Sequence, residues 1–346
     1  MADIALIQRF LPSASPGGVG YFTDGLARAL VMRGHRVTIF SQDPAPADAP
    51  YGVRAVSVQG RLAPLRFPWA LRRCDFSGFD VIHAQGDEQW VARRHAPPVV
   101  RTMHGTALAE AWFNGVRAAS PKRLLLHLWF FVNEWIAARR ADALVAVSAG
   151  TLRWYGRPGR VIPNGIDTKA FAPDGTPKSP HPTVLFVGDV DSRKRGRLLV
   201  TVMREVRRRV PDAELWLAGA GAAVTEPGCR SFGRVDDHQL QSLLRQAWVM
   251  CLPSAYEGFG RPYVEAMAAG TAVVASPNPG AREVLRDGTF GRVCEDAALP
   301  DVLCELLTDA EGRARLAQAG LQEATRYDWD TVAAAYEVVY DEVRRS

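Results

Sequence analysis

Residues 257–276, EGFGRPYVEAMAAGTAVVAS, are the most informative part of the chain. Glu257 and Glu265 are separated by seven residues; a glycine turn follows the first, and a predicted helix carries the second. The runs VMCLPS before this segment and AVVAS at its end are typical of buried strands. A strand, a glycine turn and a helix present backbone N–H groups and a positive helix end to a phosphate. Carboxylates accept hydrogen bonds from hydroxyls, so the segment predicts a nucleotide-sugar site.

The length and composition are those of a globular protein with two domains of ordinary size. The chain has 346 residues, of which 47% are apolar and 23% charged, which is sufficient for two substantial cores. The formal net charge of +5 arises from 42 basic and 37 acidic residues. This mild excess helps an anionic substrate or a membrane headgroup to approach, but it is too diffuse to predict nucleic-acid binding.

Cysteine usage and hydropathy both favour a cytoplasmic protein. The five cysteines are scattered, without a CxxC pair, and their odd number excludes complete internal pairing. Reduced thiols are therefore expected. Asp3 precedes the short apolar run at the N-terminus, unlike a signal peptide. No segment approaches the ~20 apolar residues of a membrane span. We expect a cytoplasmic protein, with the inner face of the membrane as a second candidate location.

One apolar segment, RLLLHLWFFVNEWIAARR at residues 123–140, has two interpretations. Its apolar run is interrupted by His127, Asn133 and Glu134, and basic residues flank it. A core helix of the first domain is the favoured interpretation, because helices with an apolar face usually bury that face. The alternative is an interfacial helix that contacts the membrane or the acceptor of a reaction.

Both halves of the chain alternate short strands with helices. In the first half the strand-like runs are IALIQRFL, RVTIFSQ, VRAVSVQ, DVIHAQG, VVRTMHG and ALVAVS. In the second half they are TVLFVGDV, AELWLAG, VMCLPS, AVVAS and GRVCE, with helices predicted at residues 194–210 and in DDHQLQSLLRQAW. Nearly continuous apolar strands separated by helices are typical of parallel sheets covered on both faces.

This alternation predicts the α/β fold class, with two doubly wound Rossmann-like domains facing across a cleft. The Pro-, Gly- and Ser-rich run AFAPDGTPKSPHPT is the best linker in the chain. We predict an N-terminal domain over residues 1–166 and a C-terminal domain over residues 167–328. The amphipathic segment 329–346 is expected to pack back on the first domain. In such sheets, ligands bind beyond the carboxyl ends of the strands.

A glycine pair follows the first predicted strand, in the run SPGGVG. Gly17 and Gly18 precede a predicted helix, where glycine allows the backbone to approach an anion. A plain turn explains the pair equally well. The spacing is not GxGxxG, and although Asp43 lies just beyond the second predicted strand, a nicotinamide site is a poor fit.

Two histidines lie at predicted strand ends in the first half. His104, in VVRTMHG, is placed to form a hydrogen bond with a sugar hydroxyl or a phosphate, although a lone histidine is more often structural. For His83, in DVIHAQG, the structural role is the favoured one.

A basic loop, Arg193-Lys194-Arg195, lies between a predicted strand and a predicted helix. Arginine offers a planar fork to a diphosphate, and lysine offers a compact charge. A solvated loop is the alternative, but the position at the carboxyl end of a strand favours phosphate binding. Sequence spacing alone does not exclude a glycosidase pair of Glu257 and Glu265. The glycine turn and the basic loop favour departure of a phosphate over attack by water.

Taken together, these segments resemble the retaining glycosyltransferases of the GT-B architecture that form family 4. The resemblance spans essentially the whole chain. The motifs that carry it are SPGGVG, GHRVTIFS, DVIHAQG, VVRTMHG, VIPNGID, the basic loop, GRVDDHQLQSLLRQAWVMCLPSAYEGFG with its E-x7-E pair, and PGAREVLRDGTFG. The E-x7-E unit is the specific signal, whereas the glycine loop alone is weak.

The resemblance implies roles for individual residues. Glu265 resembles the carboxylate that holds the donor ribose, Glu257 the one that contacts the transferred sugar, and Lys194 the diphosphate lysine. The resemblance implies three catalytic residues. Two are Glu257 and Lys194, and the third is His104, which resembles the histidine near the reacting sugar. The further implied donor contacts are Gly18, Arg193, Gly233, Arg234, Gly258, Phe259 and Gly260.

Two positions depart from the family pattern. Asp189 stands where many members have an arginine, and Gln85 stands where a second histidine is common. We expect Arg193 or Arg195 to substitute for the missing arginine at the diphosphate.

The resemblance implies a retaining glycosyltransferase that moves a sugar from a nucleotide-diphosphate donor to an acceptor. The donor is of the UDP, GDP or TDP type, and no further cofactor is expected. The acceptor is a carbohydrate, a lipid-linked molecule or a natural product. It is expected to engage the N-terminal domain, whereas the C-terminal domain binds the nucleotide sugar. A membrane surface is a further candidate partner, and no nucleic-acid partner is expected. No His-carboxylate cluster or DxD-like pair suits a metal, so metal independence is expected. A nucleotide-sugar epimerase on the same fold and a catalytically silent binding protein remain alternatives.

Overall fold

The computed structural model describes residues 1–12, 17–58, 60, 63–91, 96–109, 121–221 and 224–345. The chain divides into two units, which we call unit 1 and unit 2. Unit 1 comprises Met1–Gly165 and Trp329–Ser346, and unit 2 comprises Ile166–Asp328. The division between the first segment and unit 2 lies one residue before the predicted boundary.

Unit 1 is built on a parallel sheet of seven strands. In chain order they are β1 (Asp3–Ile7), β2 (Arg36–Ser41), β3 (Gly52–Ala55), β4 (Val81–Ala84), β5 (Val99–Met103), β6 (Ala143–Ala146) and β7 (Arg160–Val161). Their order across the sheet is β3-β2-β1-β4-β5-β6-β7. The direction of winding therefore reverses between β1 and β4, which is where doubly wound sheets bind ligands.

The central strand β1 shows why the sheet is covered on both faces. Ile4 and Leu6 belong to one apolar cluster, whereas Ala5 and Ile7 belong to another. Since successive side chains of a strand point to opposite faces, a strand that is apolar at every position needs a core on each side. The continuous apolar run predicted from the sequence is thus explained.

The helices of unit 1 flank this sheet. They are α1 (Gly18–Met32), α2 (Ala63–Ala70), α3 (Pro121–Arg140), α4 (Ala149–Arg153) and α12 (Trp329–Arg345). The C-terminal helix α12 packs in the same cluster as α1 and β1, through Val332, Ala333, Tyr336, Val339 and Tyr340. Their spacing puts one stripe of α12 against the core.

The first residue of α12 is lodged between two glycines. A Cβ atom added to Gly25 of α1 would lie 2.2 Å from Trp329, and one added to Gly165 would lie 2.2 Å from the same indole. Contacts this short leave no room for any side chain. Glycine at both positions is therefore required for the C-terminal helix to dock.

Unit 2 contains a parallel sheet of six strands and seven α-helices among its described residues. The strands are β8 (Thr183–Val187), β9 (Glu214–Ala218), β10 (Cys229–Gly233), β11 (Val249–Leu252), β12 (Ala272–Ala275) and β13 (Arg292–Val293). The helices are α5 (Thr168–Phe171), α6 (Gly196–Arg209), α7 (Asp237–Gln246), α8 (Arg261–Ala268), α9 (Pro279–Val284), α10 (Leu299–Thr308) and α11 (Ala310–Ala324). The order β10-β9-β8-β11-β12-β13 again reverses in the middle, between β8 and β11.

Two α/β units with parallel Rossmann-like sheets confirm the predicted fold class. Two strands were missed by the sequence analysis, the two-residue strand β7 and the edge strand β10. The edge strand β10, CRSFG, is largely accessible and has no apolar run, so hydropathy does not mark it. All five cysteines are free thiols in this structure; Cys251 and Cys304 are buried, and Cys74, Cys229 and Cys294 are partly exposed.

The favoured interpretation of residues 123–140 as a buried core helix is wrong for one face of α3. Six large apolar side chains on this helix are exposed, and we call them the apolar face of α3: Leu125, Leu126, Leu128, Trp129, Val132 and Trp135. The helix buries instead its small residues Ala137 and Ala138 together with Asn133. Within the described residues, no helix has both the length and the apolar character needed to cross a membrane.

We expect Gly25→Ala to destabilise unit 1. The added methyl group would lie 2.2 Å from the Trp329 ring, and overpacking costs about 1–3 kcal/mol. That exceeds the roughly 0.5–1 kcal/mol by which alanine is favoured over glycine inside a helix. Urea unfolding measures the difference. Gly78→Ala is the matched control, because its methyl group meets nothing within 4 Å; equal stability of the two variants would contradict the docking of Trp329.

Candidate active site

The E-x7-E segment forms a strand, a turn and a helix in unit 2, followed by the next strand. Strand β11 ends at Leu252, helix α8 starts at Arg261, and β12 follows it. Gly260 precedes the helix with a φ of +88°, and an added Cβ would lie 2.3 Å from the Tyr263 ring. Only glycine meets both demands. The turn is therefore held in one conformation, with the N-terminus of α8 at its end.

Glu257 is buried at the start of this turn and is held by two donors. Ser254 Oγ donates to Glu257 Oε1 over 2.9 Å, and Arg193 Nη1 donates to the same oxygen over 2.8 Å. Arg193 Nη1 also donates to the Tyr256 carbonyl over 2.7 Å. Among the described residues, no contact ends on the other carboxylate oxygen of Glu257. One oxygen of Glu257 is thus occupied, and the other remains available to a ligand.

Glu265 lies on α8 and is buried beside an arginine of its own helix. Arg261 Nε lies 2.6 Å from Glu265 Oε1, one helical turn away. Arg261 was not singled out from the sequence, although its i, i+4 spacing from Glu265 is a readable signal. The pair orients a carboxylate near the helix N-terminus.

The three residues of the basic loop have different partners. Arg195 clamps Asp296 with two hydrogen bonds of 2.7 and 3.0 Å, and Arg193 pairs with Glu257. Lys194 makes no ion pair with any described residue; its Nζ donates to the Val187 carbonyl at the end of β8 over 3.0 Å. Of the three cations, Lys194 is the one least committed to protein carboxylates.

The electrostatic environment links Lys194 to both glutamates. Burial lowers the pKa of Lys194, and the neighbouring Arg193 lowers it further, whereas Glu257 and Glu265 act in the opposite direction. The structure therefore brings together four residues predicted from the sequence. They meet beyond the carboxyl ends of β8 and β11, where the winding of the sheet reverses.

Three glycines, Gly188, Gly219 and Gly233, lie at the carboxyl ends of β8, β9 and β10. A Cβ atom on Gly219 would lie 2.2 Å from the Gly188 carbonyl, and Gly219 N donates to the Gly233 carbonyl over 2.7 Å. All three have positive φ. Gly188 and Gly219 were missed, although VGDV and LAGAG place glycine directly after predicted strands. The absence of a side chain at Gly188 leaves room for Lys194, whose Cδ would lie 2.3 Å from a Cβ atom at that position.

Asp189 and Arg234 flank the glycine row and are both exposed. Asp189 Oδ1 accepts a hydrogen bond of 2.9 Å from Asp191 N, and the Asp189 carbonyl accepts one of 2.7 Å from Ser192 Oγ. The Asp189 carboxylate thus stabilises its own loop. Of the two arginines expected to act at the diphosphate, Arg195 pairs with Asp296 and Arg193 pairs with Glu257. Which of the two contacts a diphosphate stays a prediction.

In unit 1, Gly18 is the first residue of α1 and Gly17 is its N-cap. Both are exposed, and an added Cβ at either position would meet nothing within 4 Å. Packing within the described residues therefore does not require glycine here. Residues 13–16, which include the start of the SPGGVG run, lie outside the described part of the chain.

His104 is held by a chain of hydrogen bonds that begins on the C-terminal helix. Tyr340 Oη lies 2.6 Å from His83 Nδ1, and Gln85 Nε2 lies 3.0 Å from His83 Nε2. Gln85 Oε1 then lies 2.7 Å from His104 Nε2. Since an amide oxygen only accepts, this network assigns the proton of His104 to Nε2. Gln85, which replaces a second histidine, connects the two rings.

Both histidines are uncharged near neutral pH. Burial lowers the pKa of His83 to about 3 and that of His104 to about 3, and the Arg101 charge contributes in the same direction. His83 is fully buried, which confirms its structural role. His104 differs because it also borders a cavity, with the Phe22 ring packed edge-on at 4.7 Å.

That cavity has a volume of about 340 Å³ and lies beyond the ends of β4 and β5. Its walls combine polar groups with aromatic rings, and they include Gln85, Asp87, His104, Trp129 and Asn133. Apart from His104, none of these was predicted as a site residue. They come from segments up to 48 positions apart, so only the loop after β4, in the run HAQGDEQ, offered a signal in the sequence.

The described residues contain no group of three or more His, Cys, Asp or Glu side chains that is arranged to hold a metal ion. The two buried glutamates each face an arginine instead.

Two family profiles match the chain and together span most of it. The profile "Glycosyltransferase Family 4" matches residues 16–170, and the profile "Glycosyl transferases group 1" matches residues 167–323. A phosphatidyl-myo-inositol mannosyltransferase of Mycobacterium tuberculosis is 33% identical, over 96% of this chain and 94% of the relative. The protein is thus a glycosyltransferase.

Solved structures agree on the fold. Sucrose-phosphate synthase from Thermosynechococcus elongatus superposes with a TM-score of 0.79 at 21% identity, covering 99% of both chains. The Anabaena protein HepE in complex with UDP-glucose gives a TM-score of 0.75 at 18% identity, covering 99% of this chain and 100% of HepE. The chain belongs to glycosyltransferase family 4, with the GT-B fold. Nothing among these relatives supports the epimerase alternative.

We expect Lys194→Ala to reduce turnover about 10²–10³-fold, as loss of one preorganised electrostatic donor does. In the wild type, burial holds the pKa of Lys194 below its ordinary value of 10.5. As pH rises, Lys194 loses its proton and its charge. The decline of kcat/KM for the nucleotide-sugar donor with rising pH should therefore begin before pH 10.5 in the wild type. This decline should be absent from the variant. Steady-state kinetics across pH measure both. Lys169→Ala, at an exposed lysine of α5, is the control. Unchanged turnover in Lys194→Ala would exclude a role for Lys194 in stabilising the diphosphate.

Proposed function

We propose that the protein transfers a hexosyl group from a nucleoside diphosphate sugar to an acceptor hydroxyl, with retention at the anomeric carbon and without a metal ion. One observation carries the proposal: Lys194 lies within electrostatic reach of two buried carboxylates, Glu257 and Glu265, beyond the strand ends of unit 2. A diphosphate needs cations and N–H donors, and ribose and hexose hydroxyls need carboxylates. This group of residues offers both.

The charge of each residue in the candidate site determines its proposed role. Lys194 and the N-terminus of α8 stabilise the negative charge that grows on the departing diphosphate. Glu265 accepts hydrogen bonds from the ribose. Glu257 Oε2, the oxygen not bound by Arg193 and Ser254, accepts one from the transferred sugar. Arg193 contacts Glu257 over 2.8 Å, so its role is to position that carboxylate.

Retention follows from attack on the same face from which the diphosphate departs. The bond between the anomeric carbon and the diphosphate oxygen breaks, and its electron pair leaves with the diphosphate. The acceptor oxygen bonds to the anomeric carbon, and its proton passes to an oxygen of the departing phosphate. A covalent intermediate on Glu257 is disfavoured, because the Arg193 cation and Ser254 lower the nucleophilicity of its carboxylate.

For the acceptor we propose a lipid whose headgroup carries hydroxyls, reached at an anionic membrane surface. The mycobacterial relative is named for action on a phosphatidyl-linked inositol. The apolar face of α3 includes two tryptophans, and Arg139 stands 3.3 Å above the Trp135 ring. Aromatic and aliphatic side chains with adjacent arginines are typical of helices that lie in an anionic interface. The net charge of +5 has the matching sign.

Incubation with UDP-, GDP- and TDP-hexoses tests the transfer reaction. We expect one donor to raise the melting temperature, as ligand linkage requires, and to support transfer to a lipid extract. NMR of the product should give the anomeric configuration of the donor. Activity should survive excess chelator. Inversion at the anomeric carbon would refute the mechanism, and loss of activity that magnesium restores would refute metal independence.

Flotation with lipid vesicles tests the membrane contact. The wild type should float with anionic vesicles and remain largely unbound with neutral ones. The double substitution Leu128→Asp, Val132→Asp should abolish flotation, because placing a charged carboxylate among lipid chains is energetically costly. Val338→Asp is the matched control: Val338 is comparably exposed, but it lies on α12. Equal flotation of the double variant and the control would remove α3 from the interface.

A further inference from the structure

We propose that Arg261 is a second cation for the nucleoside diphosphate, beside Lys194, and that it links the ribose-binding carboxylate to the phosphates. This inference rests on the proposed function, in which Glu265 holds the ribose and Lys194 stabilises the diphosphate. It adds a ligand-binding residue to that site, since Arg261 is not among the donor contacts that the family resemblance implied.

Arg261 lies on the same face of α8 as Glu265, one turn nearer the start of the helix. The two residues have i, i+4 spacing, and Arg261 Nε lies 2.6 Å from Glu265 Oε1. A helical turn advances about 5.4 Å. The phosphates of a nucleoside diphosphate extend from the ribose. With the ribose at Glu265 and the phosphates directed to the helix N-terminus, the phosphates therefore reach the level of Arg261.

The position of Arg261 is unfavourable for a cation unless an anion is bound nearby. Arg261 is the first residue of α8, at the positive end of the helix dipole, and the first turn contains no acidic residue. The N-cap is Gly260, which has no side chain to accept a hydrogen bond from the helix N–H groups. Residues that break a local rule in this way are expected at functional sites. A phosphate at this end of α8 offsets the charge of the arginine and that of the dipole.

The partner of Arg261 distinguishes it from the two arginines of the basic loop. Arg193 pairs with Glu257, and Arg195 pairs with Asp296, so both have carboxylate partners outside α8. The carboxylate beside Arg261 is instead the one that is proposed to hold the ribose. Binding of a nucleotide through its ribose therefore brings the adjoining phosphate to this guanidinium.

A guanidinium can contact the carboxylate and a phosphate at the same time. It carries five N–H donors in one plane, so a contact of Nε with Glu265 does not exhaust them. The charge of Glu265 also acts on Lys194, which places both cations around one carboxylate. A nucleoside diphosphate carries more than one negative charge, and two cations balance it better than Lys194 alone.

Isothermal titration of the full-length protein with UDP, GDP and TDP tests this role. Arg261→Gln should weaken the binding of the preferred diphosphate about tenfold or more, the loss expected for a hydrogen bond to a charged group. Arg261→Lys keeps the charge and should bind more tightly than Arg261→Gln. Arg315→Gln is the matched control, because Arg315 forms an i, i+4 pair with Glu311 on the exposed surface of α11.

Uridine, guanosine and thymidine distinguish contact with the phosphates from an effect through Glu265. Saturation-transfer NMR detects their weaker binding. The nucleoside of the preferred diphosphate should bind Arg261→Gln as it binds the control, since the amide of glutamine still donates to Glu265. Equal weakening of nucleoside and diphosphate would show that Arg261 only positions Glu265, and the inference would then be wrong.

The outcomes separate this inference from the proposed function. If Arg261→Gln binds the diphosphates as tightly as Arg315→Gln does, the inference is wrong, while hexosyl transfer by the wild type still supports the proposed function. If no diphosphate binds the wild type, both are wrong. If diphosphate binding depends on Arg261 but no nucleotide sugar supports transfer, the proposed function is wrong and the phosphate contact of Arg261 remains.

Discussion

The ion pair between Arg193 and Glu257 is the contact on which the candidate site of unit 2 depends. It joins the loop after β8 to the turn after β11, two strands that are neighbours in the sheet although 64 residues separate the two side chains. A buried carboxylate needs a partner, because an isolated charge away from water is strongly unfavourable. Glu257 therefore holds Arg193 in place, and with it the backbone of Lys194.

In unit 1, His104 is held in place by neutral groups and not by an ion pair. His83, Gln85 and His104 form a chain of hydrogen bonds that starts from Tyr340 on the C-terminal helix. Burial keeps both rings uncharged, so orientation depends on the pairing of donors with acceptors and not on ionic attraction. Tyr340 and Trp329 thus make the last helix of the chain part of the support for the site in unit 1.

The two halves differ in the chemistry that they present. In unit 2, cations and carboxylates cluster beyond the strand ends, as a diphosphate and its sugars require. In unit 1, a cavity with a polar wall opens beside an apolar helix face. Both sites lie beside the point where the order of strands reverses, which follows from the doubly wound topology. The same fold, repeated, thus offers two kinds of surface.

Local pattern alone was enough to predict much of the protein. The alternation of apolar runs and helices predicted both sheets, because strands covered on two faces are apolar at every position. The glutamate pair, the glycine turn and the basic loop were identifiable because they lie directly after strands. Local pattern failed at β10, whose residues are too accessible to form an apolar run, and at α3, where it favoured burial for side chains that are exposed.

Long-range packing decided the rest. The pairing of Arg195 with Asp296 across 101 positions is not visible in the sequence. Hydropathy records whether a residue is buried, but not which segment covers it. The order of the strands determines which loops meet, and that order is set by contacts between distant parts of the chain. The residue types of the site were therefore readable from the sequence, whereas their partners were decided by the tertiary structure.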